Sequence, residues 1–130
     1  METAFLALLT GGAALVTLLA GDDGRIVWNH LPQGTPRPAI VLYRVGGSPG
    51  IHMQGSDGLI NATVQIDVQA TSVSEMWAIR DAVVALLHGH RDDDFQLIEN
   101  ISQRQSSEML EGGGLIHRAS LDFDVWAKAA

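Results

Sequence analysis

In Ile60–Ala70 (INATVQIDVQA), apolar side chains occupy Ile60, Ala62, Val64, Ile66, Val68 and Ala70, while polar ones occupy Asn61, Thr63, Gln65, Asp67 and Gln69. Unbroken alternation with a period of two marks a strand with one buried and one solvated face, the ordinary condition of an antiparallel sheet. A strand of about eleven residues reaches roughly 36 Å at 3.3 Å per residue, enough to cross a whole small domain. Its polar face is either a solvated sheet surface or a surface used for subunit contact, through Asn61, Thr63, Gln65, Asp67 and Gln69.

Toward the C-terminus the period changes. Ser72–Leu87 reads as a helix: Ser72 and Glu75 have capping-box spacing, and Val73, Met76, Trp77, Val83, Val84 and Leu87 form an apolar stripe. Phe95–Ser102 (FQLIENIS) is a weaker strand, and Glu111–Gly114 (EGGG) a turn. After Leu115–Ser120, Leu121–Trp126 alternates again: Ala119, Leu121, Phe123 and Val125 oppose Arg118, Ser120, Asp122 and Asp124.

Toward the N-terminus, Gly46–Gly58 (GGSPGIHMQGSDG) holds five glycines and a proline and reads as a loop or as strand ends joined by a tip. Ala39–Val45 (AIVLYRV) has apolar residues on both faces and is expected to be a central strand. Leu31–Pro38 contains three of the four prolines and must be extended. Arg25–Asn29 (RIVWN) is a short strand. The uncharged run Ala4–Ala20 is shorter than the roughly 20 residues of a spanning helix, and no Lys or Arg precedes Arg25, as an export signal would require. It reads as two core helices, Glu2–Thr10 and Gly12–Ala20, bent at Gly11-Gly12. The expected fold is α+β: an antiparallel-rich sheet with one main amphipathic helix on one face and short N-terminal helices, in a single domain spanning residues 1–130.

Composition narrows the function. The chain has 130 residues, 46% hydrophobic and 18% charged, with a formal net charge of −7 and no cysteine. Such apolar content excludes intrinsic disorder, and the missing cysteines exclude a disulfide framework, a thiolate zinc site and a cysteine nucleophile. Its eight basic residues are scattered singly from Arg25 to Lys128, which argues against tight nucleic-acid binding, since phosphate needs clustered Lys and Arg. Trp28, Trp77 and Trp126 read as core or interface anchors.

The strongest chemical motif is His88-Gly89-His90-Arg91-Asp92-Asp93-Asp94. Its imidazole and carboxylate types suit a zinc site, and the run resembles the HxHxDH ligands of metallo-β-lactamase-fold hydrolases, with Asp93 in place of the last His. The alternative is a helix terminus where His88 meets the C-terminal dipole and the acids form a solvated turn. His30, His52 and His117 are isolated, Gly11–Val16 lacks the Lys of a P-loop, and Asp92–Asp94 lacks an EF-hand pattern. No catalytic set emerges, and neither cofactor nor metal is expected. A small hydrolase using His88, His90 and Asp92, or a small ligand-binding module, stays as an alternative.

METAFLALL, RIVW followed by PQGTPRPAIVL, LINATVQIDVQA leading into the helix, and GGLIHRASLDFDVW occur in an order that resembles the tail-completion proteins of long-tailed phages, including tail terminators of gene transfer agents. Ala39 stands where such chains often carry an aromatic. The resemblance implies a non-enzymatic virion protein: a ring, usually hexameric, that ends the tail tube and joins it to the head connector or stopper. It is assembled in the host cytoplasm and sits at the head–tail junction. The partners implied are further copies of the chain, the tail-tube protein and the connector, with DNA only in transit and no membrane. Some of Asp92, Asp93, Asp94, Asp122 and Asp124 are then expected to face the lumen, where negative charge lets DNA pass without sticking.

Overall fold

The long alternating strand sits in the middle of a five-stranded sheet. The computed structural model describes residues 1–47, 59–109 and 114–128. β3 (Leu59–Ala70) pairs antiparallel with β5 (Leu115–Lys128) without interruption, from Leu59 opposite Lys128 to Ala70 opposite His117. β2 (Ala39–Gly47) flanks the other side of β3, also antiparallel, with a bulge between Arg44 and Gly46. β1 (Ile26–Trp28) joins β2 in parallel, and β4 (Phe95–Met109) pairs antiparallel with β5. The order β1-β2-β3-β5-β4 makes the fold α+β, as the alternation implied, with one parallel pair at β1–β2.

Helices α1 (Glu2–Thr10), α2 (Ala13–Leu18) and α3 (Val73–Leu87) cover one face. Val64, Ile66 and Val68 of β3 and Leu121, Phe123 and Val125 of β5 are fully buried beneath them. Phe5 of α1 sets its ring near Trp28 (centroids 6.0 Å apart) and edge-on to Phe95 at 6.1 Å, so the first helix is keyed to both β1 and β4. Gly11 ends α1 and Gly12, with extended backbone, starts α2. A Cβ at Gly12 would lie 2.7 Å from Leu86 Cδ2, so this glycine lets α2 approach α3. α2 stops at Leu18, short of the expected Ala20, and β1 stops at Trp28, short of Asn29.

α3 starts where the capping box put it. Ser72 Oγ accepts the N–H of Glu75 at 3.2 Å, while the Glu75 carboxylate accepts from Thr71 N at 3.4 Å, one residue before the usual reciprocal partner. The buried stripe is Met76, Ile79, Val83 and Leu87. Trp77 was expected in that stripe; it is instead 45% exposed, because it lies one step round the helix, where its indole N–H donates to Gln105 on β4 at 3.3 Å.

β2 is central, as expected, with Ala39 through Leu42 all buried. Ile40 and Leu42 join the helix-covered core. Val41 belongs to the opposite face, where it and Ile116 wall a cleft of about 290 Å³ with Leu31 and Pro32. β4 is far longer than Phe95–Ser102, continuing to Met109. β2 likewise takes in Gly46 and Gly47, the start of the stretch read either as a loop or as strand ends joined by a tip. The rest of that loop, and most of the Glu111–Gly114 turn, lie outside the described residues.

Candidate functional site

The face of the sheet turned away from the helices gathers the polar residues of β3, β4 and β5. Register sets Asn61 opposite Trp126, Thr63 opposite Asp124, Gln65 opposite Asp122, Asp67 opposite Ser120 and Gln69 opposite Arg118. The five β3 residues, Asp122 and Asp124 therefore share one surface. β3 is bonded on both sides, so its polar residues can meet another molecule only face-on.

Much of this surface is already engaged. Asp67, 9% exposed, accepts from Ser120 Oγ at 2.8 Å and Gln65 Nε2 at 2.9 Å. Gln69, 7% exposed, accepts from Arg37 Nε and Nη2 at 3.2 and 3.1 Å. Asn61 donates to Asp124 Oδ1 at 2.7 Å. Asp122 Oδ2 accepts from Arg104 Nη1 at 2.8 Å and Ser102 Oγ at 2.7 Å. The Arg104 guanidinium is the main cause that holds the Asp122 carboxyl below its ordinary value; partial burial works against it, and the Ser102 hydroxyl adds to it. Nothing in the sequence pattern marked Arg37, Ser102 or Arg104 as partners, because each bond spans a sequence gap that only the sheet order closes.

Asp92, Asp93 and Asp94 lie elsewhere, in the turn between α3 and β4, at the end of the sheet where Phe95 faces Ala127. Gly89 has φ +79, a left-handed backbone suited to glycine, and its N–H donates to Ile98 O at 2.7 Å. Asp92 Oδ1 then accepts from Asp94 N at 2.7 Å and Phe95 N at 2.8 Å, folding the turn back into β4. Slight burial raises the Asp92 carboxyl, but the His90 ring and these two N–H groups outweigh it and leave it below its ordinary value.

The His88–Asp92 run is spent on the same turn. His90 Nε2 meets Asp92 Oδ2 at 2.7 Å, and His88 Nδ1 accepts the N–H of Asn100 at 3.0 Å. Among the described residues no three His, Cys, Asp or Glu side chains converge as metal ligands. Among the same residues no helix is long and apolar enough to cross a membrane.

At the far side of the sheet, β4 has β5 on one flank; on the other, the α3–β4 turn bonds it as far as Asn100, and beyond that no strand among the described residues pairs with it. From Gln103 to Met109 its residues are exposed on both faces, and at Glu108 and Met109 the pair with β5 runs past the end of β3.

A family profile described as tail completion protein gp17 matches residues 3–128, nearly the whole chain. The chain belongs to that family. The tail completion fold also occurs in a chain of a solved structure described as a virion of a native gene transfer agent particle. That chain is 16% identical, with a TM-score of 0.52, covering 93% of this chain and 98% of that one. No curated protein matches the sequence.

In this tail completion protein, a phage-tail structural protein by family, the polar face and the β4 edge from Ile101 to Met109 are two surfaces open to contact among the described residues. The five carboxylates, some of which were expected to face a lumen, lie in two places: Asp122 and Asp124 on the polar face, Asp92, Asp93 and Asp94 at the end of the sheet.

Proposed function

We propose that this chain is a tail terminator: a ring, six protomers round, seated on the head-proximal end of the tail tube. It stops tube growth and offers its other side to the head connector or stopper. It carries out no catalysis and takes no cofactor. Copies assemble in the host cytoplasm and end up at the head–tail junction of a phage or phage-like particle.

The observation that carries this reading is the tail completion match across residues 3–128. Physics supports it. A ring is a heterologous contact that closes on itself, and closure is what limits growth. Many weak contacts round a ring add up as avidity, which suits the broad polar face through Asn61, Thr63 and Gln65. Each copy adds a formal −7, so the channel repels DNA and lets it pass. Within the set Asp92, Asp93, Asp94, Asp122 and Asp124, Asp93 and Asp94 suit the lumen best, since both are exposed and neither side chain has a partner among the described residues.

Particles made without the chain test this. Electron microscopy should show tails unjoined to heads, with joining restored by adding the purified protein. Joined particles of normal tail length in its absence would overturn the reading. Restoration with Asp93→Asn/Asp94→Asn protein should rebuild joined particles that deliver DNA more slowly.

A further inference from the structure

The longest strand of the molecule is also an edge. β4 bonds β5 with one flank from Phe95 to Met109; the α3–β4 turn takes its other flank as far as Asn100, and from Ile101 to Met109 that flank has no partner among the described residues, which makes it a template for another strand. Natural edges are blunted by Lys, by Pro, by charges pointing inward or by bulges. Residues 101–109 (ISQRQSSEM) contain no Lys and no Pro. The bulge between Asn100 and Ser102 leaves Ile101 unpaired and 57% exposed. Met109 is 76% and its partner Leu115 44% exposed. β3 backs β5 as far as His117, so only Glu108 and Met109 with Ile116 and Leu115 form a two-stranded tip, and such a tip is marginal in water by itself.

Charge identifies what covers it. Copies of a chain at −7 repel one another, so they can meet only where charge is sparse. On the side of the β4–β5 pair toward α3, register and exposure gather Gln103, Gln105, Ser107, Met109, Leu115 and His117, with Trp77 of α3 bonded to Gln105. None is an acid. Across 101–109 the charged residues are Arg104 and Glu108, and each is paired across to β5, with Asp122 and with Arg118. A cationic partner would gain little here, whereas a second acidic copy meets no repulsion.

We propose that the β4 edge between Ile101 and Met109 is the joint between protomers, with a second copy of this chain laid along it as an added strand. The inference rests on the ring reading and names its surface. Pairing of β4 with β4 would be isologous and stop at two copies. In a ring, β4 meets a different surface of the next copy, and the sheet's other end at β1 is likewise an edge.

Hydrogen exchange on the full-length protein tests this without any variant. Free and ring-assembled protein are compared, with tail-tube protein present if closure needs it. The backbone amides of 101–109 should slow at least tenfold on assembly. Ile101→Lys, which charges an exposed bulge, should leave the near-ultraviolet circular dichroism of the monomer unchanged and weaken self-association at least tenfold, while Thr63→Lys on the polar face weakens it less. Assembly with new protection confined to the β3 face, or assembly undiminished by Ile101→Lys, overturns the joint and leaves the ring standing. A chain that stays monomeric alone and on tubes overturns both.

Discussion

His88 Nδ1 accepts the backbone N–H of Asn100 at 3.0 Å, which ties the end of α3 to β4 at its bulge. A ring nitrogen that accepts a hydrogen bond carries no proton, so the neutral ring keeps its proton on Nε2. With His90 bonded to Asp92, the one motif that looked like a metal site shapes the turn that launches the edge strand.

A chelator should therefore leave the thermal midpoint of the purified protein unchanged. His88→Ala should lower stability by about 1 kcal/mol, the typical worth of one hydrogen bond, measured by urea denaturation. A chelator-induced drop in the midpoint, abolished by His88→Ala, would show that the imidazole serves a metal.

Acid should weaken the fold through two carboxylates. Asp122, held down by Arg104, and Asp92, held down by His90 and two N–H groups, both sit below their ordinary value when folded. Each contributes stability above its unfolded value of about 3.9, and that contribution fades as pH falls through the lower folded value. Stability should thus drop below about pH 4. The Asp92→Asn/Asp122→Asn variant should show a shallower drop. At neutral pH, Asp122→Asn should lower stability by less than about 1 kcal/mol, since Arg104 is half exposed and solvent screens the pair.

Ser72→Ala removes the side chain that caps α3. It should lower stability by about 1 kcal/mol, and Ser72→Asp should restore most of that loss. Equal stability of all three proteins in denaturant titration would mean the cap contributes nothing.

Phe5→Ala empties a fully buried site between Trp28 and Phe95. A cavity of that kind costs about 3–5 kcal/mol. Because Phe5 alone keys α1 to both strands through aromatic contacts, amides of α1 should exchange faster in this variant while those of β3 and β5 keep their order of protection.

What could be read without coordinates follows from where burial imposes a pattern. β3 and the second half of β5 alternate because one face meets the helices and the other does not. The start of α3 is legible because a cap is local chemistry. Trp77 misled because its size and spacing match the stripe, yet one step round the helix turns it toward Gln105. Ile79, which takes the inward position, was passed over. The second half of β4 left no trace: Gln103 to Met109 are exposed on both faces, and no hydrophobic periodicity is required of a strand that buries neither. The same holds for the polar-face bonds. Arg104 reaches Asp122, and Arg37 reaches Gln69, only because of a strand order that no local signal encodes. Among the site expectations, the grouping of β3 with Asp122 and Asp124 follows from alternation, whereas Asp92 to Asp94 were joined to them by charge alone and lie at the end of the sheet.

Tail-tube protein polymerised with and without this chain, and imaged by electron microscopy, tests termination most directly. The account predicts tubes that stop growing once a ring sits on one end, with the length distribution narrowing as protein is added. Tubes that elongate equally in its presence, with bare ends, would contradict it.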